Sequence, residues 1–442
     1  MHTYFLSLLV AHLGFLSTGY LNEMFRLQED LKIGQQFLVN IRTELTGKVT
    51  LPPDLAKDKK QNELVMTGSS NLDYVEKVLT LQTQTQPGRI VRFYRHHEYK
   101  RKVNGEPLEN TLRPTVRRVV VTRSGRGKTG FSPDGPLSFA EIEMLRSDVF
   151  APALLGLLPS RPVKVGEGWK ATADAVRELT DLEQVHSGDL DCLLQEVVSK
   201  GEQQYALVRF KGTVEGIGTD GPNRQKLDGY LHVDLNMHHM SHLFFNGTSW
   251  LLDQDGKPRG QIEGRFILNR KLVDAPELSA ATLGNLVLEP NPDNTKLLFT
   301  EPTLGVELTH PRHWTMRHAD ARQIVLDEPN GNGLLVTLEP ADRAPTVETY
   351  RKEVEAWLQK EQVKVLRREE PQRLQSGVDT VDRFSYEAEI KGQRCFLDYY
   401  VLRQAAAGAT CAARWEINGA AALQAEGERI VKSLHLTKPR KP

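Results

Sequence analysis

At 442 residues the chain is long enough for two or three domains, each with a proper core. Lys plus Arg and Asp plus Glu both number 57, so no global field draws the molecule to nucleic acid, and no nucleic-acid partner is expected. Three cysteines are too few for a disulfide framework, and free thiols are expected at Cys192, Cys395 and Cys411.

Residues 1–19 read as a secretory leader. The run 4–16 is apolar apart from Ser7 and His12, Ser17-Thr18-Gly19 offers small residues for cleavage before Tyr20, and the run is short for a spanning helix. No Lys or Arg precedes Arg26, so a buried or anchoring helix, or a misassigned start, is the competing reading. No cysteine follows the run to make a lipobox. The expectation is an exported protein, periplasmic or extracellular, with no integral membrane span once the leader is removed.

Residues 20–283 form a β-rich body. Strands are expected at 35–45, 46–51, 63–81, 89–99 and 114–123, with Leu51-Pro52-Pro53-Asp54 opening a polar, lysine-rich loop before the third. Ser138-Phe139-Ala140-Glu141 is a capping box. The segment it opens is apolar on most faces to about Leu158, so one helix over 139–158 is expected, with strands wrapped around it. Further strands follow at 189–199, 203–216, 229–235, 240–246, 249–253 and 260–268. Leu158-Pro159-Ser160-Arg161-Pro162-Val163-Lys164-Val165-Gly166-Glu167-Gly168-Trp169 is similar to an element of large exported β-rich proteins from uncharacterised bacterial families. Strand count and single helix together resemble the open half-barrels of bacterial lipoprotein carriers. That likeness implies a curled sheet or half-barrel holding a lipid or apolar ligand. Residues 284–298, with Pro290 and Pro292, read as a linker.

Residues 299–438 read as an α+β domain. Leu304, Val306 and Leu308 alternate up to Pro311, which ends the strand, and Trp314 restarts the chain on an aromatic anchor. Strands at 323–327 and 333–339 flank an Asn-Gly turn. A helix from Thr346 to about 362 should bury Tyr350, Val354, Trp357 and Leu358. Strands at 363–368, 378–390, 394–403 and 409–417 precede a closing helix over 420–433. The strand–Pro–x–x–Trp opening, the mid-domain helix, the strand Cys395-Phe396-Leu397-Asp398-Tyr399-Tyr400 and the ending Ile430-Val431-Lys432-Ser433-Leu434 resemble the photosystem II extrinsic PsbP family. Its relatives include the DcrB-type exported lipoproteins and the Ran-binding Mog proteins. The resemblance implies an α/β sandwich used as a binding or assembly module, with no shared catalytic constellation.

The local motifs carry little chemistry. Gly125-Arg126-Gly127-Lys128-Thr129-Gly130 matches G-x-G-x-x-G, but Phe131-Ser132-Pro133-Asp134-Gly135-Pro136 cannot open the helix a dinucleotide fold requires, so a β-turn is expected. His232, His238, His239 and His242, with His96 and His97 upstream, invite a metal reading. Asn236-Met237-His238-His239 looks like a turn, however, and no metal or other cofactor is assigned. Asp253-Gln254-Asp255-Gly256 has its glycine too early for a calcium loop and reads as a hairpin turn. No Ser-His-Asp order or G-x-S-x-G elbow occurs, and Asp398 is expected to face solvent, so no catalytic residue is assigned.

One local asymmetry stands out. Between Arg89 and Lys128 twelve Lys/Arg face three Glu. Arg92, Arg95, Arg117 and Arg123 are the candidate contacts for an anionic partner, a lipid headgroup, polysaccharide or acidic protein. The alternative is a solvated sheet face guarded by cations. Two readings of function follow: an exported, non-catalytic protein binding a lipid or apolar ligand in its β-rich body, or an envelope protein–protein interaction module with no small ligand.

Overall fold

A computed structural model describes residues 23–51, 62–81, 87–124, 127–146, 148–319, 322–376 and 379–438. The leader and the lysine-rich loop lie outside these residues. The fold is mostly β, in large antiparallel sheets that do not close into a barrel. The chain packs as two units, the first of residues 1–111, 122–127 and 147–282 and the second of 112–121, 128–146 and 283–442.

In the first unit the antiparallel strand order runs Glu106–Thr111, Pro87–Val103, Glu63–Leu81, Gln36–Thr50, Pro258–Val273, His239–Leu252, Gly221–Asp234, Gln203–Gly218, Gln184–Lys200 and Gly168–Lys170. The Gln36–Thr50 strand joins the first hairpins to the last, pairing along its length with both Glu63–Leu81 and Pro258–Val273. Two breaks expected from sequence, between 45 and 46 and at 247–248, are absent: both strands run on continuously, with Gly47 opposite Ile262 and Gly247 opposite Gly264. Each glycine marks a close approach within the sheet: a Cβ at Gly247 would lie 3.0 Å from the Leu227 side chain.

Successive residues of a strand point to opposite faces, so the register assigns the core. Val208, Leu231, Leu243, Leu268, Ile41 and Leu72 are cross-strand partners on one face, and all are buried. We call this the inner face.

The single helix over 139–158 does not form. The capping box is present, with Glu141 N donating to Ser138 Oγ at 3.2 Å and Ser138 N to Glu141 Oε2 at 2.8 Å. The helix nevertheless ends at Arg146 and belongs to the second unit. A 3-10 turn, Ala151–Leu157, follows in the first unit, with Pro152 in its opening turn. Proline donates no hydrogen bond to a preceding turn, so the α-helix cannot run through it. A short helix not foreseen from sequence, Ala173–Thr180, packs beside that turn, its N-cap Thr172 accepting from Ala175 N.

The second unit holds a seven-stranded antiparallel sheet ordered Thr315–Ala319, Gln323–Asp327, Gly333–Pro340, Ala407–Glu416, Gln393–Arg403, Asp379–Ile390 and Lys364–Ser376. Helix Val347–Lys360 contributes Val347, Val354 and Leu358 to one core. Helix Ala420–Lys432 contributes Ile430 and Val431 to another with Trp314 and Trp415. One expectation is corrected: Trp357 lies off the helix's apolar stripe and is 45% exposed. Cys411 stands opposite Tyr400. Val306–His310 joins a separate small sheet, beside Leu297–Glu301 and His435–Leu436. The three cysteines are free and buried.

Candidate functional site

At one end of the inner face, the apolar rows give way to charge. Phe37, Glu76 and Arg92 form one cross-strand row, and Arg270, Val39, Tyr74 and Tyr94 the next. Arg92 Nε lies 3.0 Å from Glu76 Oε2, its Nη2 donates to the Val149 carbonyl at 2.9 Å, and its guanidinium covers the Tyr74 ring at 4.6 Å. Tyr94 donates to Asp148 Oδ2 at 2.6 Å. Arg270 pairs with Glu29 at 2.8 Å and covers the Phe37 ring at 4.1 Å. Glu29 also accepts from Met240 N at 3.1 Å. The segments carrying Glu29 and Asp148 are thereby tied to the sheet.

Several buried atoms of this cluster have no hydrogen-bond partner among the described residues: the Tyr74 hydroxyl, one oxygen each of Glu29 and Glu76, and Nε and Nη2 of Arg270. Such groups are costly to leave dry, and internal water is the ordinary occupant. Burial pushes the Tyr74 and Tyr94 phenols well above their ordinary range, so both stay neutral. Burial works against the Arg92 charge, but the surrounding tyrosines and carboxylates outweigh it and keep the guanidinium protonated.

Farther along the inner face, burial loosens. Thr43, Leu45, Gly47, Phe245, Ser249, Ile262 and Gly264 are neighbours across the three central strands, and all are only half-buried. The next positions outward, Val49 and Leu251, are buried again with Met66. The sheet therefore carries a band of half-exposed apolar and small residues, bounded on both sides by closed core.

A cleft of about 470 Å³ lies where residues 26–29 run beside residues 150–174. Phe150, Pro152, Leu155, Leu158 and Trp169 supply its apolar wall; Arg26, Arg123, Arg161 and Lys170 bring positive charge, and Glu29 and Asp174 negative charge.

The candidate arginines do not make one surface patch. Arg92 is 1% exposed and locked in the buried cluster, a correction to its reading as a surface contact. A bulge around Arg95 makes His97 the buried residue after Tyr94, opposite Leu72. Arg95 is exposed and bound to Glu277 at 2.7 Å. Arg117 is exposed in the second unit. Arg123 lines the cleft, 5.8 Å above the Phe150 ring and 3.9 Å from Asp174.

The remaining motifs settle plainly. Residues 125 and 126 of the glycine motif lie outside the described residues, and strands Arg118–Ser124 and Gly127–Phe131 flank them. The His232 and His242 rings lie 5.4 Å apart, inclined by 40°, beside Tyr230, while His238 sits in a turn at positive φ. Among the described residues no three His, Cys, Asp or Glu converge as a metal site. Asp253 caps the turn to Lys257, accepting from the Asp255 and Lys257 amides. Asp398 is a correction: it is fully buried, accepting from Trp415 Nε1 at 2.7 Å, from Arg383 at 3.0 Å and from the Ser385 hydroxyl.

Sequence reasoning missed Glu29, Asp148 and Arg270. Arg270 ends the alternating run Phe266, Leu268, Arg270, so a charged residue at an inward position was the available signal. Glu29 and Asp148 sit in irregular segments, where no periodicity assigns a direction.

No family model matches the chain, and no curated protein matches it. Among solved structures it is similar to cyanobacterial PsbP (CyanoP) from Synechocystis sp. PCC 6803, at 9% identity and a TM-score of 0.27, over 32% of this chain and 92% of that one. It is also similar to lipovitellin, in a structure describing lipid–protein interactions, at 9% identity and a TM-score of 0.29. That match covers 56% of this chain but only 26% of lipovitellin. MucB in complex with MucA(peri) matches at 9% identity and a TM-score of 0.12, over 90% of this chain and 94% of MucB. The likeness to PsbP is thus a distant one. Among the described residues no helix is long and apolar enough to cross a membrane.

Proposed function

We propose that this is an exported, non-catalytic binding protein whose first unit holds a lipid or other apolar molecule on the inner face of its sheet. A PsbP-like second unit serves as the assembly module. The half-exposed band around Leu45, Phe245 and Ile262 supports the reading: interior-facing apolar side chains in the middle of a long sheet are elsewhere closed over, and here they are not. An apolar ligand covering the band would gain about 25 cal/mol for each Å² removed from water.

Native mass spectrometry of the chain from Tyr20 onward, purified gently from a bacterial envelope and then solvent-extracted, tests it. A discrete co-purifying apolar mass that is lost in Leu45→Glu supports the carrier. A clean apo mass in repeated preparations rejects it. The second reading, a protein-docking module, is favoured by the exposed Trp357 on helix Val347–Lys360. Cross-linking from that helix tests it.

A further inference from the structure

We propose that the 470 Å³ cleft of the first unit is a binding site for an anionic amphiphile, a molecule with one acidic head and an apolar tail. This site shares no residue with the half-exposed band around Leu45, so it goes beyond the carrier reading and stands or falls separately from it.

The charge of the cleft favours an anion. Its two carboxylates are already compensated, Glu29 by Arg270 at 2.8 Å and Asp174 by Arg177 with Arg123 at 3.9 Å. Arg161 and Lys170 pair with Glu167 and Asp189, which do not line the cleft. Both cations are more than half exposed, and such solvated pairs yield readily to a better-placed anion. No described carboxylate pairs with Arg26, which is exposed. Guanidinium groups bind carboxylate and phosphate oxygens two at a time, so Arg26, Arg123 and Arg161 suit either head chemistry.

The wall favours an occupant with an apolar part. Leu155 and the half-buried Trp169, beside the buried Phe150 and Leu158, offer an apolar surface that a free inorganic anion would leave wet. That wall is also fixed in place. Trp169 Nε1 donates to the Leu157 carbonyl at 2.9 Å, Thr172 N to the Gly156 carbonyl at 2.9 Å, and Phe150 N to Glu178 Oε1 at 2.7 Å. A preformed wall loses little freedom on binding. The volume falls within the range of about 300–1,000 Å³ usual for small-molecule sites.

The test titrates the delipidated full chain with sodium laurate below its micelle concentration, with dodecanol, and with inorganic phosphate, following heat and Trp169 fluorescence. Laurate should bind at one site, dodecanol at least tenfold more weakly, and phosphate should not displace laurate. The double variant R26E/R161E, at two exposed positions, should melt like the parent and lose at least tenfold in laurate affinity. Arg123→Gln is the second variant and should weaken laurate in the same direction. Equal affinity for laurate and dodecanol, undiminished binding in both variants, or displacement by equimolar phosphate would each overturn the proposal, the last in favour of a free anion. Leu45→Glu should leave laurate binding unchanged. A chain that purifies without apolar cargo therefore counts against the carrier reading, and loss of head-group discrimination counts against this site.

Discussion

Arg92 and Glu76 stand opposite one another on adjacent strands, 3.0 Å apart, and neither side chain reaches solvent. Removing one partner of such a pair leaves the other charge buried and unmatched. Arg92→Met should therefore destabilise the first unit by about 3–5 kcal/mol, read by urea unfolding. Arg92→Lys should rescue only part of this, because the lysine cannot also span to the Val149 carbonyl and the Tyr74 face. An unchanged unfolding midpoint in Arg92→Met would show that the pair contributes nothing.

Asp398 does the same work in the second unit, gathering Trp415, Ser385 and Arg383. Asp398→Ala should cost about 3–5 kcal/mol by leaving those donors unanswered, whereas a solvated aspartate would cost under about 0.5 kcal/mol. Chemical denaturation followed through Trp415 distinguishes the two.

Gly229 faces Phe210 and Phe245 across its two neighbouring strands, and a Cβ there would lie 2.8 Å from the Phe210 ring and 2.5 Å from Phe245 Cβ. Gly229→Ala should lower stability by about 1–3 kcal/mol through overpacking. At Gly34, where nothing lies within 4 Å, φ is +87°, so an alanine there is strained by backbone conformation alone. Thermal melts of the two variants read these separate causes.

Acid should weaken the protein in two stages. Burial depresses the pKa of His239 and of His310, the latter despite its hydrogen bond to the Pro311 carbonyl at 2.9 Å. Unfolded histidine takes up its proton near about pH 6.5, so stability is complete above that and falls as the pH drops toward the folded values. Burial opposes ionisation of Glu141, but hydrogen bonds from Arg113 and from the Ser138 and Arg113 amides outweigh it and hold the carboxyl below its ordinary value. Its contribution is present above the ordinary carboxylate pKa and disappears as the pH falls through the folded value. The double variant His239→Gln/His310→Gln should flatten the melting curve's pH dependence below about pH 6.5. An unaltered slope would place the acid sensitivity elsewhere.

Helix Val347–Lys360 begins on Thr346, whose hydroxyl accepts from Thr349 N at 3.2 Å. Thr346→Ala should cost about 1 kcal/mol and Thr346→Asp should be neutral, measured by thermal unfolding.

The legible parts of this fold were those where periodicity and turn chemistry agree. The strands around Lys391-Gly392 were readable because alternation ran up to a turn at positive φ, Lys391 at 50° and Gly392 at 80°. The apolar run 139–158 was illegible because hydrophobicity on every side fits a helix or a buried irregular segment equally, and Pro152 settles the matter only once its position in the turn is seen. Asp398 and Arg92 misled for one reason. Charge suggests solvent, yet each has partners from strands or segments remote in sequence, which a single chain read in order does not reveal. The same holds for the cleft: Arg123 was visible as a cation, but its neighbours Arg26, Arg161 and Lys170 become neighbours only through the fold.

The Gln36–Thr50 strand has its second partner, Pro258–Val273, at the far end of the first unit. During synthesis one of its edges therefore stays open, with unpaired amides and carbonyls, until nearly the whole unit has emerged. Pairings so distant close slowly. This protein's most vulnerable moment is thus before it is finished, and a chaperone that shields that edge should raise its yield.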